Sequence, residues 1–140
     1  MTAKSKRMGF TWDQEYKYAV DELKASLKGF GELKVEPSNL EIFLLCLAFG
    51  QSTGTRRQVP PRKTDGPRFE VLGPEHWALV KSVALAESDS SSILLNEDQA
   101  FDIVEEFAAG GLMLLAQALA SEANFQAWIQ SELLKWADTK

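Results

Sequence analysis

Apolar residues recur at three- and four-residue spacing in five blocks along the chain, the repeat by which an α-helix buries one stripe. The first block runs from Gln14 to Leu27, with Tyr16, Val20, Leu23 and Leu27 on the stripe; Thr11 or Asp13 caps its start and Gly29 and Gly31 stop it. Pro37-Ser38-Asn39 caps a second, opened by Glu41 or Ile42 and stopped at Gly50, which is apolar nearly all round and therefore belongs at the centre of the domain. A third spans about Glu75 to Glu87, with Pro74 just ahead of its first turn and Trp77, Val80, Ala84 and Leu85 inward. After the serine-rich linker Ser88–Ser92, Ile93-Leu94-Leu95 plugs back into the core and Asn96-Glu-Asp-Gln99 reads as a capping box. It opens a fourth helix with Phe101, Val104, Phe107, Ala108 and Leu112 inward. Gly110-Gly111 either ends that helix or lets another backbone approach while it continues through Ala116. Ser121 or Asn124 caps the last, with Phe125, Trp128, Ile129, Leu133 and Trp136 inward.

Between the second and third blocks the pattern breaks. Thr53 to Arg68 carries Arg56, Arg57, Arg62, Lys63 and Arg68 against one acid, Asp65, in a chain of formal net charge −5. Arg56–Val59 and Arg68–Leu72 read as two short extended pieces joined at Asp65-Gly66-Pro67, since Asp-Gly favours tight hairpin turns. Pro60 and Pro61 lack amide donors and confine such a ladder to an edge. The expected architecture is mainly α: a single domain of about five helices over residues 11–140, a flexible tail over 1–10, and a short basic β-hairpin arm within 53–72.

Two uses of the basic segment compete. Attraction between exposed charges fades beyond roughly 10 Å, so an acidic body could hold a polyanion only where these five side chains lie. The more ordinary use is solvation, or pairing with the chain's own 20 acids. Geometry separates them: guanidiniums on a projecting arm favour phosphate, whereas guanidiniums folded onto carboxylates remove the case for it.

Composition narrows the remainder. At 140 residues and 45% hydrophobic content the chain can bury one core without staples, and a pI near 4.9 argues against wholesale binding to DNA or an anionic membrane while suiting a basic partner. The basic start lacks an apolar signal region and no later stretch reads as long enough to span a bilayer, so a soluble, cytoplasmic protein is expected. Cys46 lies in an apolar run and reads as a buried inert thiol; His76 has no second His or Cys beside it and reads as structural. Asp98, Asp102, Glu105 and Glu106 gather on the outer side of the fourth helix, where they suit a basic surface of a partner protein better than a metal or acid–base chemistry. Gly50-Gln-Ser-Thr-Gly54 lacks the Gly-Lys-Ser/Thr ending of a phosphate loop. No cofactor, metal or catalytic residue is assigned, and the four tryptophans read as core.

Three segments together resemble the small accessory proteins encoded beside bacterial DNA phosphorothioation (Dnd-type) gene clusters. They are Leu44-Leu-Cys-Leu-Ala-Phe-Gly50 followed by Gly54-Thr-Arg-Arg57, then Ala84-Leu-Ala-Glu87, then Ile103-Val-Glu-Glu-Phe-Ala-Ala-Gly-Gly-Leu112, within a likeness running from about Val20 to Leu134. Phe107 stands where that pattern has tyrosine and Ala109 where it has asparagine, and Thr55 is inserted ahead of the arginines. The resemblance implies a nonenzymatic component of an anti-phage defence system that marks DNA with backbone sulphur or acts on DNA lacking it. The expected partners are other proteins of that system, with DNA phosphate touched through Arg56, Arg57, Arg62, Lys63 and Arg68. The alternative is a protein-interaction module or homo-oligomer without nucleic-acid contact.

Overall fold

A computed structural model describes residues 8–28, 35–59, 65–88 and 96–138, with residues 136–138 described by backbone alone. Among the described residues five helices follow in order: α1 (Tyr18–Leu27), α2 (Asn39–Thr53), α3 (Pro74–Ser88), α4 (Glu97–Ser121) and α5 (Phe125–Asp138), with a 3-10 turn at Phe69–Val71 between α2 and α3. The α4 helix is the axis and touches the other four. Ser38 and Glu41 close the capping box that starts α2. Asn96 accepts from Gln99 N–H at the start of α4, and Asn124 accepts from Ala127 N–H at the start of α5.

Gly110-Gly111 does not end α4; it admits α2. A Cβ on Gly111 would stand 1.7 Å from the Cys46 carbonyl oxygen, and one on Gly50 would stand 1.8 Å from that of Phe107. Each helix thus offers its partner's glycine a backbone carbonyl one turn away, and only hydrogen at those Cα atoms permits the crossing. Because the glycines do not interrupt it, α4 is long and apolar enough to cross a membrane by length and composition, contrary to the expectation that no stretch reaches that length. Its most apolar window is 67% buried inside the protein, as befits a core helix.

The N-terminal segment alters the expected start of the domain. Phe10 falls in the stretch read as tail, yet it is fully buried, stacked on Phe43 at 4.5 Å and edge-on to Phe69 and Phe101 at 5.0 and 5.8 Å. Burying a phenyl ring stabilises by about 2–3 kcal/mol, enough to pin a segment with no helix of its own. Residues 1–7 lie outside the described residues.

The β-hairpin is a correction. Among the described residues there is no strand, and the piece expected to pair with Arg56–Val59 pairs instead with the N-terminal segment. Phe10 N–H donates to Pro67 O at 3.0 Å, Gly66 N–H to Phe10 O at 3.0 Å and Phe69 N–H to Met8 O at 2.9 Å, giving one isolated bridge, Gly9 to Arg68. Phe69 then turns back in the 3-10 turn to meet Trp77 at 5.2 Å, which ends any ladder. Gly66 has no positive φ, so the tight primed turn that Asp-Gly suggested does not form.

Two smaller expectations also shift. The first helix begins at Tyr18 because the Asp13 carboxylate accepts from Glu15 N–H and holds an arginine, leaving residues 14–17 as a turn. Leu85, expected inward, is exposed, and Val83 takes its place in the core. The serine linker from Asp89, the Ile93-Leu94-Leu95 plug and the Gly29 and Gly31 stop lie outside the described residues, as does the side chain of Trp136.

Candidate functional site

The α2 helix ends at Gly54, whose φ of 71° is the left-handed turn a glycine favours. Thr55 N–H caps back onto Gly50 O at 2.9 Å, and the chain then crosses α4 without regular secondary structure. It lies so close that a Cβ on Gly110 would stand 2.0 Å from Thr55 O. Arg57 N–H donates to Glu106 O at 3.0 Å, fastening the segment to the helix. Adjacent in the chain, Arg56 and Arg57 reach different neighbours.

Arg56 turns toward α3 and α4. Its Nε and Nη2 both donate to Glu106 Oε1, at 3.0 and 2.5 Å, its Nη1 donates to Glu87 at 2.6 Å, and its guanidinium lies 5.2 Å from the centre of the Phe107 ring. Burial opposes its charge, but Glu106 and Glu87 outweigh that and raise its pKa. Arg57 turns toward the N-terminal segment. Its Nε donates to Asp13 at 2.7 Å, its Nη2 donates to Glu15, and it lies 4.9 Å from the Tyr16 ring centre. The Asp13 hydrogen bond is the chief cause raising its pKa. Asp13 is the more constrained partner, its side chain only 5% exposed against 29% for Arg57.

These two arginines join four stretches of chain. Asp65, the lone acid of the basic segment, makes a separate tie: it accepts from Trp12 N–H at 3.0 Å, from Gln14 Nε2 at 2.7 Å and from Lys17 Nζ at 3.0 Å. Burial opposes its charge, and those three donors together hold the carboxyl below its ordinary value. Arg68 is exposed and contributes its backbone to the bridge with Gly9, while Arg62 and Lys63 lie outside the described residues.

Asp98, Asp102, Glu105 and Glu106 of α4 do not share one outward face. Glu105, expected there, is 2% exposed and accepts from Thr11 N–H at 2.7 Å, because the N-terminal segment covers that side of the helix. Glu106 is half-buried beneath Arg56; Asp102 is half-buried and Asp98 exposed nearer the start of α4. Sequence reasoning missed Asp13, Glu15 and Glu87 as the arginines' partners: the pairs lie 31 to 44 residues apart, and nothing local signals them.

The remaining chemistry is quiet. His76 Nδ1 accepts from Gly73 N–H at 2.9 Å, a tie at the start of α3. Cys46 is buried, and burial pushes its thiol pKa well above the ordinary value. Among the described residues no three His, Cys, Asp or Glu side chains are grouped to hold a metal. A cleft of about 280 Å³ opens where the end of α2 and the second half of α4 meet α5, with Phe49 and Trp128 in its wall and Glu122 and Glu132 among its lining.

Fold and site together define a helical domain clasped by internal ion pairs. The chain belongs to the family described as DNA sulphur modification system-associated protein 4, which matches it over residues 14–140. This supports an accessory role in such a system, and the resemblance read from Leu44 to Leu112 stands. No curated protein and no solved structure matches the chain.

Proposed function

We propose that the protein is a non-catalytic docking component of its DNA sulphur modification system and works by binding another protein of that system, in a role serving anti-phage defence. The observation that carries this reading is the engagement of Arg56 and Arg57 by Glu87, Glu106, Asp13 and Glu15. A phosphate drawing either guanidinium outward would leave a carboxylate behind, and the largely buried Asp13 is the costliest to abandon. Acids suit a protein partner with a basic surface, where complementary charge speeds association and excludes wrong partners.

The test is purification of the tagged chain from its native host in the presence of nuclease and at raised salt, with mass spectrometry of what is retained. Retention of a protein of the sulphur modification system is the expected result. A chain that elutes alone, or whose partner is released by nuclease, would overturn the reading in favour of DNA as the tether.

A further inference from the structure

We infer that the cleft between the end of α2 and α5 receives an arginine side chain of the partner protein. The inference rests on the docking reading above and deepens it by naming the contact. Charge supplies the first argument. Residues 97–138, which hold α4 and α5, carry eight carboxylates against one lysine, Lys135, and so exceed the net charge of −5 of the whole chain. Two of the eight, Glu122 where α4 ends and Glu132 on α5, line this cleft.

The walls supply the second argument. Phe49, Leu114, Ala118 and Trp128 make an apolar floor, and Trp128 is held in place by near-parallel contact with Phe49 at 5.9 Å and Phe125 at 5.8 Å. A ligand that satisfies both floor and rim has an apolar stem and a cationic head. At about 280 Å³ the space admits one long side chain with room to spare and lies at the lower edge of the range of small-molecule sites, and its carboxylates repel nucleotides and other anions. Glu132 already attracts a cation, since Lys135 reaches it at 2.8 Å from a side chain 70% exposed and free to be displaced. A guanidinium suits the rim better than an ammonium, because its planar fork of five donors serves a carboxylate and the side-chain oxygens of Gln117 or Thr53 together.

The probe is N-acetyl-arginine amide, titrated into the full chain and followed by the Trp128 indole and Gln117 amide signals in nitrogen–proton NMR spectra, with N-acetyl-citrulline amide as its neutral isostere. Saturable shifts at both positions, with citrulline about fivefold weaker or more, are expected. Glu122→Gln/Glu132→Gln should abolish the preference, and Glu122→Gln alone, at an exposed position, should reduce it without altering the fold. Equal binding of the two amides, or no saturable shift at Trp128, overturns the proposal. Capture of the native partner that is undiminished in Glu122→Gln/Glu132→Gln also overturns it and leaves the docking reading standing. Failure of the unsubstituted chain to capture any system protein overturns the docking reading instead, and is read independently of the titration.

Discussion

Asp65 shows how one residue can be misread when its neighbours in sequence are taken for its neighbours in space. Within Thr53–Arg68 it is the single acid among five cations, yet its described partners are Trp12, Gln14 and Lys17. Its pKa is depressed below the ordinary 3.8, so its stabilising contribution is whole above that value and is lost as pH falls through the folded-state pKa. Asp65→Asn should therefore cost roughly 1 kcal/mol at neutral pH, and the two stability curves should converge in acid, where the wild-type carboxyl is itself protonated. Urea unfolding across the acid range checks this; curves that stay parallel throughout would remove Asp65 from the tie between the two segments.

At the scale of elements, the helices were legible because their signals are local. Ser38 with Glu41, Asn96 and Asn124 each cap within three residues, and the stripes Val20–Leu23–Leu27 and Phe101–Val104–Phe107 face the core as periodicity implies. The arm failed for the opposite reason. A hairpin between 56–59 and 68–72 was the nearest pairing in sequence, but Phe10 carries more burial into the core than that ladder offers, and it brings residues 8–10 to the edge that 66–69 present. The glycine pair left two outcomes open in the sequence, and the partner that decides between them, Gly50, lies about sixty residues away. Gly111→Ala should force α2 and α4 apart at the Cys46 carbonyl and lower stability by about 3 kcal/mol in equilibrium unfolding. A loss under about 1 kcal/mol would show that the crossing has slack.

Over the whole molecule, the sequence-level picture of a cationic arm on an acidic body gives way to a different division. The excess negative charge lies in α4 and α5, and the described part of the basic segment is drawn onto the body by Arg56 and Arg57. The candidate residues were legible as residues: Arg56, Arg57 and Glu106 do come together, and the Gly-Gly step beside them is where the arginine segment crosses α4. Their role was not legible, because partners such as Asp13 and Glu87 announce nothing locally and the cover over Glu105 comes from a segment without helical pattern. The clasp links the N-terminal segment, α3, α4 and the exit of α2, so its loss is felt by the fold as a unit.

The most direct measurement is the unfolding free energy of Arg56→Gln/Arg57→Gln, with Arg68→Gln, exposed and joined to the body through its backbone, as the control. A loss of about 2–4 kcal/mol for the double variant, mostly from stranding Asp13, and under about 0.5 kcal/mol for Arg68→Gln are expected. A double variant as stable as the unsubstituted chain would contradict the account, since guanidiniums with no part in the fold would be available to a polyanion after all.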